Sequence, residues 1–244
     1  MHFVVVAAFM LLVPTEGSPT IASGDSAFVR IDYPHALAAY QSVLRTSPGD
    51  AGAMWRIARV YNLMAEVVKR DQKEELYRKA ETFARLCVAT DSTNARGHTW
   101  LAVCLGNIAM FEGSKTKVQL ANDIKSELDI ALRLDPNDDV SYTILGSFYR
   151  ALGNISWIER SLANVFLGHL PEGGFTESEQ ALKKAIELGP RVLRHQHELG
   201  MLYLDLGRKT EAKQIFEAAL TLPSLVASDS SSKERIRKKL QGLE

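Results

Sequence analysis

Cysteine is scarce in this chain, with only Cys87 and Cys104 among 244 residues. Two thiols cannot build a disulfide framework or a cysteine-rich zinc module. A net charge is lacking too, because 29 Lys and Arg balance 29 Asp and Glu. That balance excludes the broad basic footprint of a general nucleic-acid binder, while still permitting local charged stripes. Long apolar runs are also missing. The main one, FVVVAAFMLLV from Phe3 to Val13, falls well short of the about 20 residues that a bilayer-spanning helix needs. No segment shows the strict alternation of a half-buried strand. What is present, 46% apolar and 24% charged residues, is the balance of a folded globular chain and not of a disordered one. At roughly 100–200 residues per domain, the length allows one elongated domain or two small ones.

The Phe3–Val13 run fits the apolar region of a secretory signal,. Pro14-Thr15-Glu16-Gly17 and small residues follow it, offering a cleavage point at Thr20-Ile21-Ala22. Met1 and His2 supply no Lys or Arg ahead of it. The expectation is a signal peptide over residues 1–22, a linker over 23–32, and export to a periplasmic or secreted location. A cytoplasmic location is the alternative if the segment is not a signal. No cysteine follows the run, so lipid anchoring is not expected.

From Tyr33 onward turn signals recur: Ser47-Pro48-Gly49-Asp50, Asp91-Ser92-Thr93-Asn94, Asp135-Pro136-Asn137-Asp138, Gly189-Pro190 and Leu222-Pro223-Ser224. The equivalent positions Pro48, Ser92, Pro136, Pro190 and Ser224 lie 44, 44, 54 and 34 residues apart. Between them apolar residues return at i, i+3/i+4 and i+7, the helical period. The last copy is the cleanest: Leu199-Gly200, Tyr203, Gly207, Ala212, Phe216 and Ala219 precede the Pro223-Ser224 turn. These residues resemble the tetratricopeptide pattern, two antiparallel helices A and B in 34 residues. Earlier copies read Ile57-Ala58 with Tyr61, Leu101-Ala102 with Leu105, and Leu145-Gly146 with Tyr149. The expected fold class is all-α, a tetratricopeptide-like superhelical stack of antiparallel helix pairs over residues 33–224. A polar capping helix over 225–244 closes it, opened by a Ser231/Glu234 capping box.

Extra length falls in Val67–Leu76, Gly106–Asp123 and Gly153–Thr176. The third segment has its own helical pattern in Ile155, Trp157-Ile158, Leu162, Val165-Phe166-Leu167 and Leu170. It is predicted to be an ordered helix that buries Trp157, with Thr176 and Glu179 capping the next helix.

More specific resemblance comes from four segments. They are Gly97-His98-Thr99-Trp100-Leu101-Ala102, Leu145-Gly146-Ser147-Phe148-Tyr149, Ser156-Trp157-Ile158-Glu159, and Ala181–Leu188 ahead of Gly189-Pro190. Together they resemble the regulator of microtubule dynamics family, over roughly residues 33–224. The Ser-Trp-Ile-Glu segment in the 54-residue unit is the most specific part. The resemblance implies a tetratricopeptide-like fold in a family of animals and bacteria. It also implies an interaction role, since animal members are described as microtubule-associated or membrane-tethered interaction proteins. The export-like N-terminus departs from them.

Enzyme signatures do not assemble. Gly113-Ser114-Lys115-Thr116 has letters of a P-loop end, but its Gly-Lys pair is broken and no strand precedes it,. Asp135–Asp139 has the acidic alternation of a calcium loop but Val140 and Gly146 where Gly and Glu are needed,. It is better read as a turn and helix N-cap. His195 and His197 would lie about 200° apart on a helix and cannot share a metal,. Cys87 and Cys104 fall on adjacent helices, so a disulfide is geometrically conceivable; the preferred reading is two small buried apolar residues. Asn154-Ile155-Ser156 is a formal glycosylation sequon overlapping the tryptophan segment,. No cofactor, metal or catalytic set is expected.

The surviving functional signal is a groove. In a right-handed stack the A helices line the concave side. Tetratricopeptide offsets then place Trp55, Arg59 and Asn62; Arg96, Thr99 and Asn107; Thr143, Ser147 and Arg150; and Arg194, His197 and Asp205 on it. Four arginines on one face of a neutral chain suit an acidic or C-terminal carboxylate peptide through forked hydrogen bonds. The expected function is a non-catalytic scaffold holding a protein, as a peptide or helix, in that groove. The alternatives are a self-associating structural protein of the cell envelope and a microtubule-associated regulator as in the animal relatives. Neither a nucleic acid nor a small-molecule substrate is expected.

Overall fold

The computed structural model describes residues 20–166 and 169–243. They form helices and their connections, with no strand among the described residues. Five antiparallel pairs stack in chain order: α1 (Ile21–Val29) with α2 (Tyr33–Thr46), α3 (Ala51–Val67) with α4 (Arg70–Thr90), α5 (Ala95–Glu112) with α6 (Ser114–Leu134), α7 (Asp139–Gly153) with α9 (Phe175–Leu188), and α10 (Leu193–Asp205) with α11 (Lys209–Thr221). The helix α8 (Trp157–Phe166) is inserted in the fourth pair, and α12 (Asp229–Gln241) packs on the fifth.

The turns read from the sequence are the helix starts. Asp50, Asn94 and Asp138 accept backbone N–H groups of Ala53, Gly97 and Val140, satisfying donors that a helix N-terminus leaves free,. Pairs close tightly where helix A carries a small residue. A Cβ on Gly200 would collide with Phe216, and one on Gly146 with Leu182. Ala58 and Ala102 fill the same place in the second and third pairs and are fully buried.

The first pair corrects the expected linker over 23–32. Residues Ile21–Val29 are helix A of a further unit, in which a Cβ on Gly24 would collide with Tyr40. Gly24, Ala27, Ala36, Tyr40 and Pro48 stand at the offsets of Gly200, Tyr203, Ala212, Phe216 and Ser224. Thr20 caps the helix, its Oγ1 accepting from Ser23 N at 3.1 Å while Ser23 Oγ accepts from Thr20 N at 2.9 Å. Thr20, Ile21 and Ala22 therefore belong to the folded unit, whereas the rest of the proposed signal, residues 1–19, lies outside the described residues.

The extra length in the second and third pairs is longer helix, not loop. α3 to α6 have 17, 21, 18 and 21 residues, against 13 each in α10 and α11. Cys87 and Cys104 are both buried and both free, and the Cys87 thiol donates to Ala51 O.

The inserted α8 is helical as predicted, but its phase is not. Trp157 is 77% exposed, with Ile158 and Leu162 beside it in solvent. Instead, Ala163 and Leu170 cluster with Ala121 and Leu152, and Ile155 packs against them. Ser156 and Glu159 form the cap, Glu159 accepting from Ser156 N at 2.9 Å and Ser156 Oγ accepting from Glu159 N at 3.3 Å. Arg160 then reaches inward to the carbonyls of Leu152 and Pro171. With that start fixed, the tryptophan can only point out. The side chains of Val165, Phe166 and Leu167, part of the same predicted apolar pattern, lie outside the described residues.

Two other caps shift. α9 begins at Phe175, where Glu177 accepts from Gly174 N, while Glu179 pairs with Arg208 and Lys183 instead of capping. α12 begins two residues before Ser231, whose hydroxyl donates to Ser228 O rather than forming a box with Glu234. Nor is α12 merely polar: Ile236 is fully buried among Leu199, Leu202 and Phe216.

These positions predict contrasting stabilities. Trp157→Ala should lower the unfolding free energy by less than about 1 kcal/mol, and Ala163→Asp, on the buried side of α8, by about 2–3 kcal/mol. Urea melts followed by circular dichroism measure both; a larger loss at Trp157 than at Ala163 would reverse the assigned phase.

Candidate functional site

The residues expected to face a groove are brought together, but mainly with one another. Each inner A helix is bonded to the next by polar side chains. Between α1 and α3, Asp25 receives Arg56 at 2.8 and 3.0 Å and the Tyr40 hydroxyl at 2.6 Å. Arg59 lies 3.6 Å from the same carboxylate, and its guanidinium sits 3.5 Å from the Phe28 ring centre and 5.0 Å from that of Trp55. Burial lowers the Arg59 pKa, and the Tyr40 and Asp25 side chains only partly offset it. Two aromatic rings within cation–π reach hold a desolvated guanidinium well,.

Between α3 and α5, Asn107 donates to Asn62 Oδ1 at 3.0 Å. Between α5 and α7, the buried Asp138 carboxylate receives Arg96 at 2.6 Å, Thr99 at 2.5 Å and Ser141 at 2.8 Å. The link from α7 to α10 has two parts. His195 is buried between Thr143 Oγ1 at 2.5 Å and Asp139 Oδ2 at 2.9 Å. Glu198 accepts from Ser147 and Arg150, and Arg150 also reaches Asp205. His197 contacts Glu198 through Nδ1, so the two histidines serve separate carboxylates.

Arg194 closes the circuit. It holds both oxygens of Glu66 at 2.6 Å, joining α10 of the fifth pair to α3 of the second. Ser228 donates to the same carboxylate at 2.6 Å, and Ala227 N donates to the Tyr33 hydroxyl at 3.1 Å. The chain between α11 and α12 thus crosses back to the first units. Val226 and Ala227 pack on the core that includes Tyr33, Ile57 and Leu63.

Arg59, Arg96, Arg150 and Arg194 are therefore not four free cations facing a ligand. Each has a carboxylate, on α1, on the cap of α7, on α10 and on α3 respectively. Thr99, Thr143 and Asn62 are buried between helices and out of a ligand's reach. Trp55 is half-buried under Arg56 and Arg59.

Two adjoining cavities among the described residues share Lys73 and Tyr77. One, of about 230 Å³, lies among Glu66, Arg194, His197, Glu198, Ser231 and Arg235. The other, of about 340 Å³, is lined by Arg70, Asn107, Met110 and Phe111. Of these lining residues only Asn107, Arg194 and His197 were legible as groove positions. Glu66, Lys73, Tyr77 and Arg235 carry no local signature, since they meet across the closed stack.

Burial works against ionisation of Glu198, yet the hydrogen bond and charge of His197 and the charges of Arg150 and Arg194 outweigh it, leaving the carboxyl at about 2. Asp139 is likewise lowered, the His195 bond and charge overcoming burial. Among the described residues no helix is long and apolar enough to cross a membrane.

This architecture defines a tetratricopeptide-like helical-repeat protein. It superposes on a thermophilic TPR protein of Thermus thermophilus with a TM-score of 0.63 and 22% identity, over 91% of this chain and 97% of that one. The family described as Regulator of microtubule dynamics protein 1-3 matches residues 22–244, and the chain belongs to it. Regulator of microtubule dynamics protein 2 of Homo sapiens is 29% identical over 192 residues, which is 78% of this chain and 47% of the human protein. Protein 1 of Mus musculus is 26% identical over 208 residues, 84% of this chain and 68% of that protein. The chain thus spans about half the length of the human relative.

Two outcomes follow for the polar links. Glu66→Ala should cost about 1–2 kcal/mol, because Arg194 and Ser228 lose their acceptor. It should also speed amide exchange in residues 225–229, which hydrogen-exchange mass spectrometry reads directly. Glu198 has a folded pKa below its ordinary 4.5, so its contribution is complete above that value and is lost as the pH falls toward about 2,. The melting temperature should therefore decline below pH 4.5, and the decline should be shallower in Glu198→Gln.

Proposed function

We propose that this protein is a non-catalytic scaffold that holds a partner peptide or helix in the trough formed by the two adjoining cavities. The observation that carries the reading is the Met110 side. Met110 is 65% exposed beside Phe111 and Asn107, at the mouth of the larger cavity. A flexible thioether next to an aromatic ring makes an adaptable apolar contact. Arg70 lies 5.0 Å from the Phe111 ring centre, supplying a polar rim to that contact,. No arrangement of nucleophile, base and oxyanion donors accompanies it among the described residues, and the buried Thr143–His195–Asp139 chain is sealed inside the α7–α10 interface.

The relatives are named as regulators of microtubule dynamics, which makes polymerised tubulin the first partner to try. Affinity capture from host extract and co-sedimentation with microtubules should be run with wild type and Met110→Asp. The charged side chain should reduce capture of the partner at least about tenfold, while leaving the melting temperature nearly unchanged because the site is exposed. Equal capture by both forms would refute the trough as the contact surface. Co-sedimentation lost with the same substitution would assign the microtubule role to this face.

A further inference from the structure

We infer that the smaller cavity is a receptor for a carboxylate side chain of the partner, seated between the N-terminal ends of α4 and α12 by Lys73 and Arg235. This rests on the scaffold reading above and specifies the partner's chemistry.

The cavity is bounded on three sides. Glu66, Lys73 and Tyr77 come from the second pair, Arg194, His197 and Glu198 from α10, and Ser231, Ser232 and Arg235 from α12. Its two carboxylates are already committed: Glu66 to Arg194 and Ser228, Glu198 to Arg150, Ser147 and His197. The cations are not all answered. Lys73 and Arg235 have no carboxylate partner among the described residues, and Arg235 is held only by the hydroxyls of Ser231 and Ser232 at 3.4 and 2.8 Å. The lining therefore keeps a local positive surplus in a chain whose total charge is zero.

Helix electrostatics point the same way. Lys73 lies at the start of α4, after Lys69 and Arg70, with Asp71 the single acidic residue of the first turn. The N-cap residue makes no side-chain capping bond. Positive side chains at the positive end of a helix dipole oppose local stability. The first turn of α12 already carries its own carboxylate, Asp229, which accepts from Leu225 N and Val226 N, so α12 contributes to this space the hydroxyls of Ser231 and Ser232 and the Arg235 guanidinium. An anionic group placed there would answer the uncapped start of α4 together with Lys73 and Arg235,. A partner carboxylate suits the space because Tyr77 and the adjoining trough, with Met110 and Phe111, would take neighbouring side chains of one peptide.

The test uses the full chain and two labelled probes, hexaglutamate and hexaglutamine peptides, read by fluorescence anisotropy at physiological salt. Wild type should bind hexaglutamate, and Lys73→Gln or Arg235→Gln should each weaken it about five- to tenfold. Lys73→Arg should restore most of the loss, and Lys213→Gln, on the exposed side of α11, should have no effect. Equal binding of the two probes by wild type would overturn the inference. So would an equal loss from Lys213→Gln, which would mean diffuse attraction, or displacement of the peptide by an equal concentration of inorganic phosphate, which would mean a small-anion site. Partner capture through Met110 is read independently, so the scaffold reading can stand while this one falls.

Discussion

The bond that closes the stack on itself joins Glu66 to Arg194. A helical-repeat stack is ordinarily held by nearest-neighbour contacts, and each unit can bend relative to the next. Here one guanidinium nitrogen, Arg194 Nη2, donates to both oxygens of Glu66 across 128 residues of sequence and connects the second helix pair to the fifth. Burial alone would depress the Arg194 pKa, but the charge and hydrogen bonds of Glu66 more than compensate, so the guanidinium stays firmly charged. Ser228 adds a third donor to the same carboxylate and pins the C-terminal segment across the interior. A stack closed in this way has fewer bending modes, and its inner face is fixed in width.

That closure explains what became of the arginines. On an open superhelix, arginines along the A helices would look into solvent and await a ligand. In this chain each finds a carboxylate on a neighbouring element, and the balance of 29 against 29 charges is in part the sum of those pairings. Surface pairs are worth little, but these are half-buried, share carboxylates and carry additional hydroxyl donors. They set the register between units. Lys73, Arg235 and Met110 stand outside that ladder.

The fold was legible wherever a local rule carried it. Turn chemistry at Asp50, Asn94 and Asp138 marked helix starts, and small residues at Ala58, Ala102, Gly146 and Gly200 marked the tight helix pairs. The same rule, applied from Gly24 to Tyr40, identifies the first pair; it was obscured by the adjacent apolar N-terminus, which drew residues up to Ala22 into a signal reading. The phase of α8 was not legible, because Trp157 and Ala163 both fit a helical period, and which one faces inward depends on the Ser156–Glu159 cap and on Arg160. The inner-face positions were legible from repeat offsets, but their partners were not. Offsets tell which residues look inward and are silent on what faces them. Glu66 meeting Arg194, and Lys73 sharing a cavity with Arg235, are consequences of closure across the stack.

Closure also couples recognition to stability. The third wall of the smaller cavity is the first part of α12, and α12 is anchored on one side by Ile236 in the fifth pair and tethered on the other through Ser228 and Ala227. Anything seated against Arg235 and Lys73 together requires both walls in place, so it binds the closed form and not one with the C-terminal segment detached. By mass action a ligand at about 100 times its dissociation constant then adds about 2.7 kcal/mol to the closed state. The tether in turn shapes affinity: with the segment detached for part of the time, apparent binding weakens by the fraction closed. The ladder, the tether and the cavity are therefore linked, and a substitution at Tyr33, which holds Ala227 N from outside the cavity, would act on the proposed binding without touching the partner.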